Sequence, residues 1–127
     1  MTSTLTTQKS DFQLVEKTLN YYLEGGVNND YETLSKAFHE TATMKSIADG
    51  YQETNALEFF RKKLQPGPKQ NRTSRIASIH VSGNAASAHI EIEYPTYIFM
   101  DYMNLLKIDG AWKIVSKIFY KKEKGKG

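Results

Sequence analysis

The sequence predicts one α+β domain, with three N-terminal helices packed on one face of a curved antiparallel sheet. Three observations carry this. In the first half, apolar residues recur at helical spacing between start and stop signals; from Arg72 onward the period changes to two. Two tight-turn signals, Gly83-Asn84 and Asp109-Gly110, then divide the second half into hairpins. Helices followed by an antiparallel meander define the class, and 127 residues suffice for one core.

The first helix starts at Ser10, with Gln13 three residues later in capping-box spacing, and presents Phe12, Val15, Leu19, Tyr22 and Leu23 on one face. Gly25-Gly26 is read as its stop. Asn29 and Glu32 start a second helix, with Tyr31, Leu34, Ala37 and Phe38 on its apolar face. An extended stretch spans Thr41 to Ala48. A third helix opens at Asn55 with Glu58, buries Leu57, Phe60 and Leu64, and ends at Gln65-Pro66-Gly67-Pro68. Arg75 to Ser82 and Ala85 to Tyr94 form the first hairpin; Tyr97 to Ile108 and Ala111 to Tyr120 form the second. The expected boundaries are a flexible arm over 1–9, the domain over 10–120 and a basic flexible tail over 121–127.

The composition, 39% hydrophobic and 24% charged, is that of a folded chain. The net charge of +3 invites a nucleic-acid reading, but four lysines and one glutamate in the last seven residues account for all of it. The remaining 120 residues carry 13 basic and 13 acidic side chains, so no nucleic-acid partner is expected. Absence of cysteine excludes disulfides, thiolate metal sites and a cysteine nucleophile. MTSTLTTQKS has no continuous apolar run, so no membrane association is expected and a cytoplasmic location is the default.

A two-residue turn sets hairpin register, so cross-strand neighbours can be named. In the first hairpin Val81 faces Ala86, Ile79 faces Ala88 and Ala77 faces Ile90, while His80, Ser87, Ser78, His89 and Glu91 share the polar face. In the second, one face holds Met100, Tyr102, Asn104 and Leu106 against Lys113, Val115, Lys117 and Phe119. The other holds Phe99, Asp101, Met103 and Leu105 against Trp112, Ile114, Ser116, Ile118 and Tyr120. Neither face is polar along its length, so one should meet the helices and the other a second copy of the chain.

Phe38-His39-Glu40-Thr41-Ala42-Thr43-Met44 resembles the helix-to-strand junction of nuclear transport factor 2-like domains, and DYMNLLKIDGAWKIVSKIFY resembles their final hairpin. Over residues 10–120 the order of elements is similar to theirs, nearest to the putative lumazine-binding or SnoaL-like group of mostly uncharacterised proteins. The resemblance implies helices in the concave face of a strongly curved, cone-like sheet. It also implies a pocket for a small, largely apolar, aromatic or polyketide-like molecule. Cyclase, isomerase or dehydratase chemistry by acid and base groups is the class of reaction it suggests, with no cofactor and no metal. Isomerases of this superfamily use a tyrosine late in the first helix, a carboxylate base in the first strand and an acid in the penultimate strand. Tyr22 matches the tyrosine; the base falls near Ser46 and the acid near Tyr102, which does not support isomerase chemistry.

The resemblance turns the face of Tyr102, Asn104, Val115, Lys117 and Phe119 inward, which makes Tyr22, His39, Tyr102, Asn104 and Lys117 the expected ligand-binding residues. Tyr102 opposite Lys117 could bind an anionic or enolic oxygen; the alternative is a lysine reaching water along an apolar wall. His39 could act as acid, base or ligand contact, or could sit at the carbonyl end of the second helix. Tyr22 could equally be core, since it lies on the apolar stripe of its helix. His80, His89 and Glu91 lack a backing ligand and are read as exposed strand residues. The homodimer face is then expected to hold Phe99, Met103, Trp112, Ile114 and Ile118, with Asp101 pairing across it. The competing functional reading is a non-catalytic dimeric interaction or assembly module whose cavity is only core.

Overall fold

The computed structural model describes residues 9–125. The elements run α1 (Asp11–Val27), α2 (Tyr31–Ser35), β1 (Phe38–Ser46), β2 (Gln52–Asn55), α3 (Ala56–Lys63), β3 (Thr73–Ser82), β4 (Ala85–Glu93), β5 (Tyr97–Ile108) and β6 (Ala111–Glu123). The arm expected over 1–9 lies, apart from Lys9, outside the described residues.

Local chemistry sets the helix starts. Ser10 Oγ accepts from Gln13 N at 3.1 Å and Gln13 Oε1 accepts from Ser10 N at 3.0 Å, which closes the capping box. Asn55 Oδ1 accepts from Glu58 N at 2.9 Å at the start of α3. For α2 the cap is Asp30 and not the expected Asn29: Asp30 Oδ1 accepts from Thr33 N, while Asn29 takes a left-handed φ of 55° in the preceding turn. Gly25 and Gly26 do not stop α1, which continues to Val27. Their role is close approach: a Cβ on Gly25 would lie 2.7 Å from Leu34 Cα, so glycine lets α2 pack directly on α1.

The sheet has six strands in the order β2-β1-β6-β5-β4-β3. It is mixed and not purely antiparallel, because β1 lies parallel to β6, the last strand. Both hairpins begin in the expected register, Ser82 opposite Ala85 and Ile108 opposite Ala111. Each then slips at a bulge. In the first, Ile76 and not Ala77 faces Ile90. In the second, Leu105 faces Ile114 but Asn104 faces Ser116, which leaves Val115 unpaired.

A one-residue slip reverses every side chain beyond it. Phe99, Asp101, Met103 and Leu105 therefore line the helix-facing side of β5, joined by Trp112 and Ile114 before the bulge and by Lys117 and Phe119 after it. This corrects the expected inner face of β5, and with it the expected dimer face. Met103, Trp112 and Ile114 are buried in the core, Phe99 packs against it, and only Ile118 of that set points outward.

Val15, Leu19, Leu34, Ile90, Met103, Leu105 and Ile114 are fully buried at the centre, where each large aliphatic chain contributes about 1.5–3 kcal/mol of transfer free energy. Phe12, expected on the buried stripe of α1, is exposed. The strand β6 also outlasts the boundary expected at 120: Lys121 to Glu123 pair with Tyr97 to Phe99, and Lys124 Nζ meets Glu93 Oε2 at 2.6 Å. Among the described residues no helix is long and apolar enough to cross a membrane.

Candidate functional site

The inward face of β5 carries one acid among apolar side chains. Asp101 is 0% exposed. Its Oδ2 accepts from the Tyr22 hydroxyl at 2.6 Å and lies 3.9 Å from Lys117 Nζ, while Oδ1 has no donor among the described residues. Burial pushes the Tyr22 phenol well above its ordinary range, and the negative charge and acceptor bond of Asp101 push in the same direction. Tyr22 thus stays protonated and serves as a donor.

Lys117 is 7% exposed and reaches this carboxyl from β6. Its Nζ stands 4.9 to 5.2 Å from the ring centroids of Phe119, Phe60 and Tyr22, and 3.7 Å from Met44 Sδ. Burial lowers its pKa; the charge of Asp101 opposes that shift, and the charge of Arg72 adds to it. An aromatic ring favours the ammonium by about 0.5–2 kcal/mol, whereas burying the ion costs several kcal/mol. The balance loosens the proton of Lys117.

Next to these groups lies a cavity of about 250 Å³. Its walls come from every layer: Tyr22 of α1, Phe60 of α3, Met44 of β1, Ile92 of β4, Phe99 of β5 and Phe119 of β6. Arg72 closes one side. Its guanidinium donates to the Leu23 carbonyl in the last turns of α1 at 3.0 Å, and to the Tyr94 hydroxyl at 3.1 Å. Tyr94 in turn donates to Gln70 Oε1 at 2.6 Å, and Gln70 Nε2 donates to the Gly26 carbonyl at 3.0 Å. This network holds the arginine still, with its buried Nε unpartnered among the described residues.

Of the expected ligand-binding residues, Tyr22 and Lys117 meet at the cavity. Tyr102 and Asn104 lie on the opposite side of the sheet, where Tyr102 stacks on His89 at 4.6 Å and Asn104 donates to Ser116 Oγ at 3.0 Å. The expected partner of Lys117, Tyr102, is replaced by Met103 in the register and by Asp101 as its charged neighbour. His39 is occupied within its own strand, its Nδ1 accepting from Thr41 N at 3.1 Å, and does not line the cavity. A carboxyl stands on the inward face one residue before Tyr102, as Asp101 hydrogen-bonded to Tyr22. Ser46, at the end of β1, supplies no carboxylate. Sequence reasoning missed Asp101 and Arg72. An acid centred in the apolar run YIFMDYMNLL was a usable signal for the first; nothing local marks the second.

Residues 10–120 match the family described as putative lumazine-binding. The chain belongs to that family, within the nuclear transport factor 2-like superfamily. It is 25% identical over 114 residues to the protein named Aldolase FrzH from Cladobotryum sp, covering 87% of this chain and 91% of that one. Among solved structures, a nuclear transport factor 2-like protein of unknown function from Methylobacillus flagellatus is 30% identical, covering 91% of this chain and 94% of that one, with a TM-score of 0.77. Another from Shewanella baltica is 26% identical, covering 90% and 98%, with a TM-score of 0.79.

Removing the Tyr22 hydroxyl should expose the cost of the buried acid. Tyr22→Phe is expected to lower unfolding free energy by about 1.5–3 kcal/mol near neutral pH, the range for hydrogen bonds to charged groups. The folded pKa of Tyr22 is raised, so its contribution is complete below about pH 10, where the unfolded phenol is still protonated, and fades as pH rises through the folded value. Urea titrations should accordingly show the gap between wild type and variant narrowing above about pH 10.

Proposed function

We propose that the cavity binds a small, largely apolar aromatic molecule bearing an anionic or enolic oxygen, which sits against Lys117. The observation that carries this is a buried lysine on an aromatic-walled cavity, with its nearest counter-charge 3.9 Å away. A ligand oxygen would give the ammonium the close partner that Asp101 does not. Arg72 and Lys63, also on the cavity wall, make its charge favour anions further. The volume of about 250 Å³ lies just below the roughly 300–1,000 Å³ of drug-sized sites, which suits one or two fused rings.

If chemistry follows binding, it uses protons. Lys117, with its loosened proton, is the donor at the cavity wall and, once it has given that proton up, the group able to take one back, while Asp101 is held in place by the Tyr22 hydroxyl. Cyclisation, isomerisation or dehydration all fall within that repertoire. The name of the Cladobotryum relative adds aldol chemistry, which likewise needs proton transfer beside a carbonyl. A thermal-shift screen of aromatic and heteroaromatic acids and phenols tests the binding claim: hits should raise the midpoint by several degrees in wild type and far less in Lys117→Met. Equal shifts in both proteins would remove Lys117 from the site, and no shift across the set would remove the ligand.

A second reading concerns the other side of the sheet, and a specific observation favours it. Tyr102, Leu106, Ile118 and Tyr120 are between 41% and 59% exposed, together on a face flanked by neutral Asn104 and Ser116. We infer that this face pairs with a second copy of the chain, because four large apolar side chains exposed together, with Lys45 and Lys113 beside Ile118 and Leu106, form the apolar patch with a polar rim that association buries. Light scattering should give twice the 14.5 kDa chain mass for wild type and the single-chain mass for Ile118→Lys. A monomeric wild type at micromolar concentration would end this reading.

A further inference from the structure

We propose that Lys117 is a nucleophilic amine, which joins aldehyde or ketone ligands of the cavity through a reversible imine. The inference rests on the cavity being a ligand site and adds what the ligand must contain, a carbonyl carbon within reach of Nζ.

Three features of the geometry support it. Lys117 Nζ borders the cavity but is nearly closed to bulk water, so a bound carbonyl would meet it without a competing solvent shell. It makes no strong hydrogen bond: Met44 Sδ at 3.7 Å is a weak acceptor, and Asp101 Oδ2 at 3.9 Å lies beyond direct bonding range. The side chains directly around its Nζ are aromatic and thioether, and Lys63, the other amine of the cavity wall, is not among them. A lysine held in an apolar pocket beside a second cation is a standard means of activating an amine. Arg72 is that second cation, and the lowered pKa of Lys117 agrees with it. The titratable and charged groups facing this space are Tyr22, Lys63, Arg72, Tyr94, Tyr97 and Asp101.

The step balances without an outside reagent. The neutral amine adds to the carbonyl carbon, a C–N bond forms, the C=O π pair moves to oxygen, and a proton passes from nitrogen to that oxygen. The carbinolamine then loses its hydroxyl and the remaining N–H proton as one water, leaving C=N. One amine and one carbonyl give one imine and one water. Tyr22 and Asp101, adjacent to Nζ, form the proton path by which hydroxyl leaves as water.

Reductive trapping tests this on the full chain. Wild type is incubated with benzaldehyde and sodium cyanoborohydride, which converts an imine to a stable secondary amine, and adducts are located by peptide mass mapping. Lys117 should be labelled at least tenfold faster than any other lysine at neutral pH. That advantage should vanish in urea, a control that needs no variant to fold. Lys117→Arg, which keeps the charge, should lose the fast adduct and keep the slow ones. Labelling of Lys117 no faster than surface lysines would overturn the inference. Thermal-shift binding of aromatic acids distinguishes the two failures. Acids that bind while Lys117 stays unlabelled would sink the imine and leave the pocket standing; neither binding nor labelling would sink both.

Discussion

A carboxyl group with no exposure at all is costly unless it is met by a donor or an opposite charge, and Asp101 is such a group. Its requirement is met from two directions, by the Tyr22 hydroxyl on α1 and by Lys117 on β6. The acid thereby ties the first helix to the last two strands at the centre of the fold. The same arrangement draws a lysine into an aromatic interior that would otherwise exclude it. Structural need and chemical potential coincide here: the group that stabilises the buried acid is also the one left reactive at the cavity wall.

Lys117 reaches that position only because β6 changes face midway. Before the bulge, Trp112 and Ile114 point inward at even positions; after it, Lys117 and Phe119 do so at odd ones. Val115 is the unpaired residue between them. Without the bulge the lysine would stand on the outer face, Ser116 would take its place opposite Met103 and Ile118 would face Asp101, leaving the acid no charged neighbour. The bulge is thus as much a part of the site as the side chains it aims.

The sequence made the class, both turns, two of the three helix caps and the family legible, because each rests on short-range chemistry: Ser10 with Gln13, Asn55 with Glu58, Asp109-Gly110 in its turn. Tyr22 and Lys117 were legible as inward-facing residues, and both line the cavity. Tyr102 and Asn104 were misplaced, since register counted outward from a turn holds only until the first bulge. Neither bulge carries a glycine to announce it: the unpaired residues are Val115 and Ala77. The pairing of β1 with β6 and the clamp on Arg72 join residues distant in sequence, through contacts that no local pattern encodes. Gly25 and Gly26 misled for a related reason. A glycine that admits a neighbouring backbone or side chain and one that ends a helix look alike in sequence.

The ionisation of one buried amine governs what the cavity can do, and it can be observed directly. Carbon and nitrogen NMR of the lysine side chains across an alkaline titration, with Lys117 assigned by Lys117→Arg, follows each amine separately. Lys117 should give up its proton at distinctly lower pH than the exposed lysines, because burial and Arg72 outweigh the pull of Asp101. A Lys117 that titrates together with the exposed lysines would contradict the account, since it would describe an amine in water and not one held at the cavity beside Asp101.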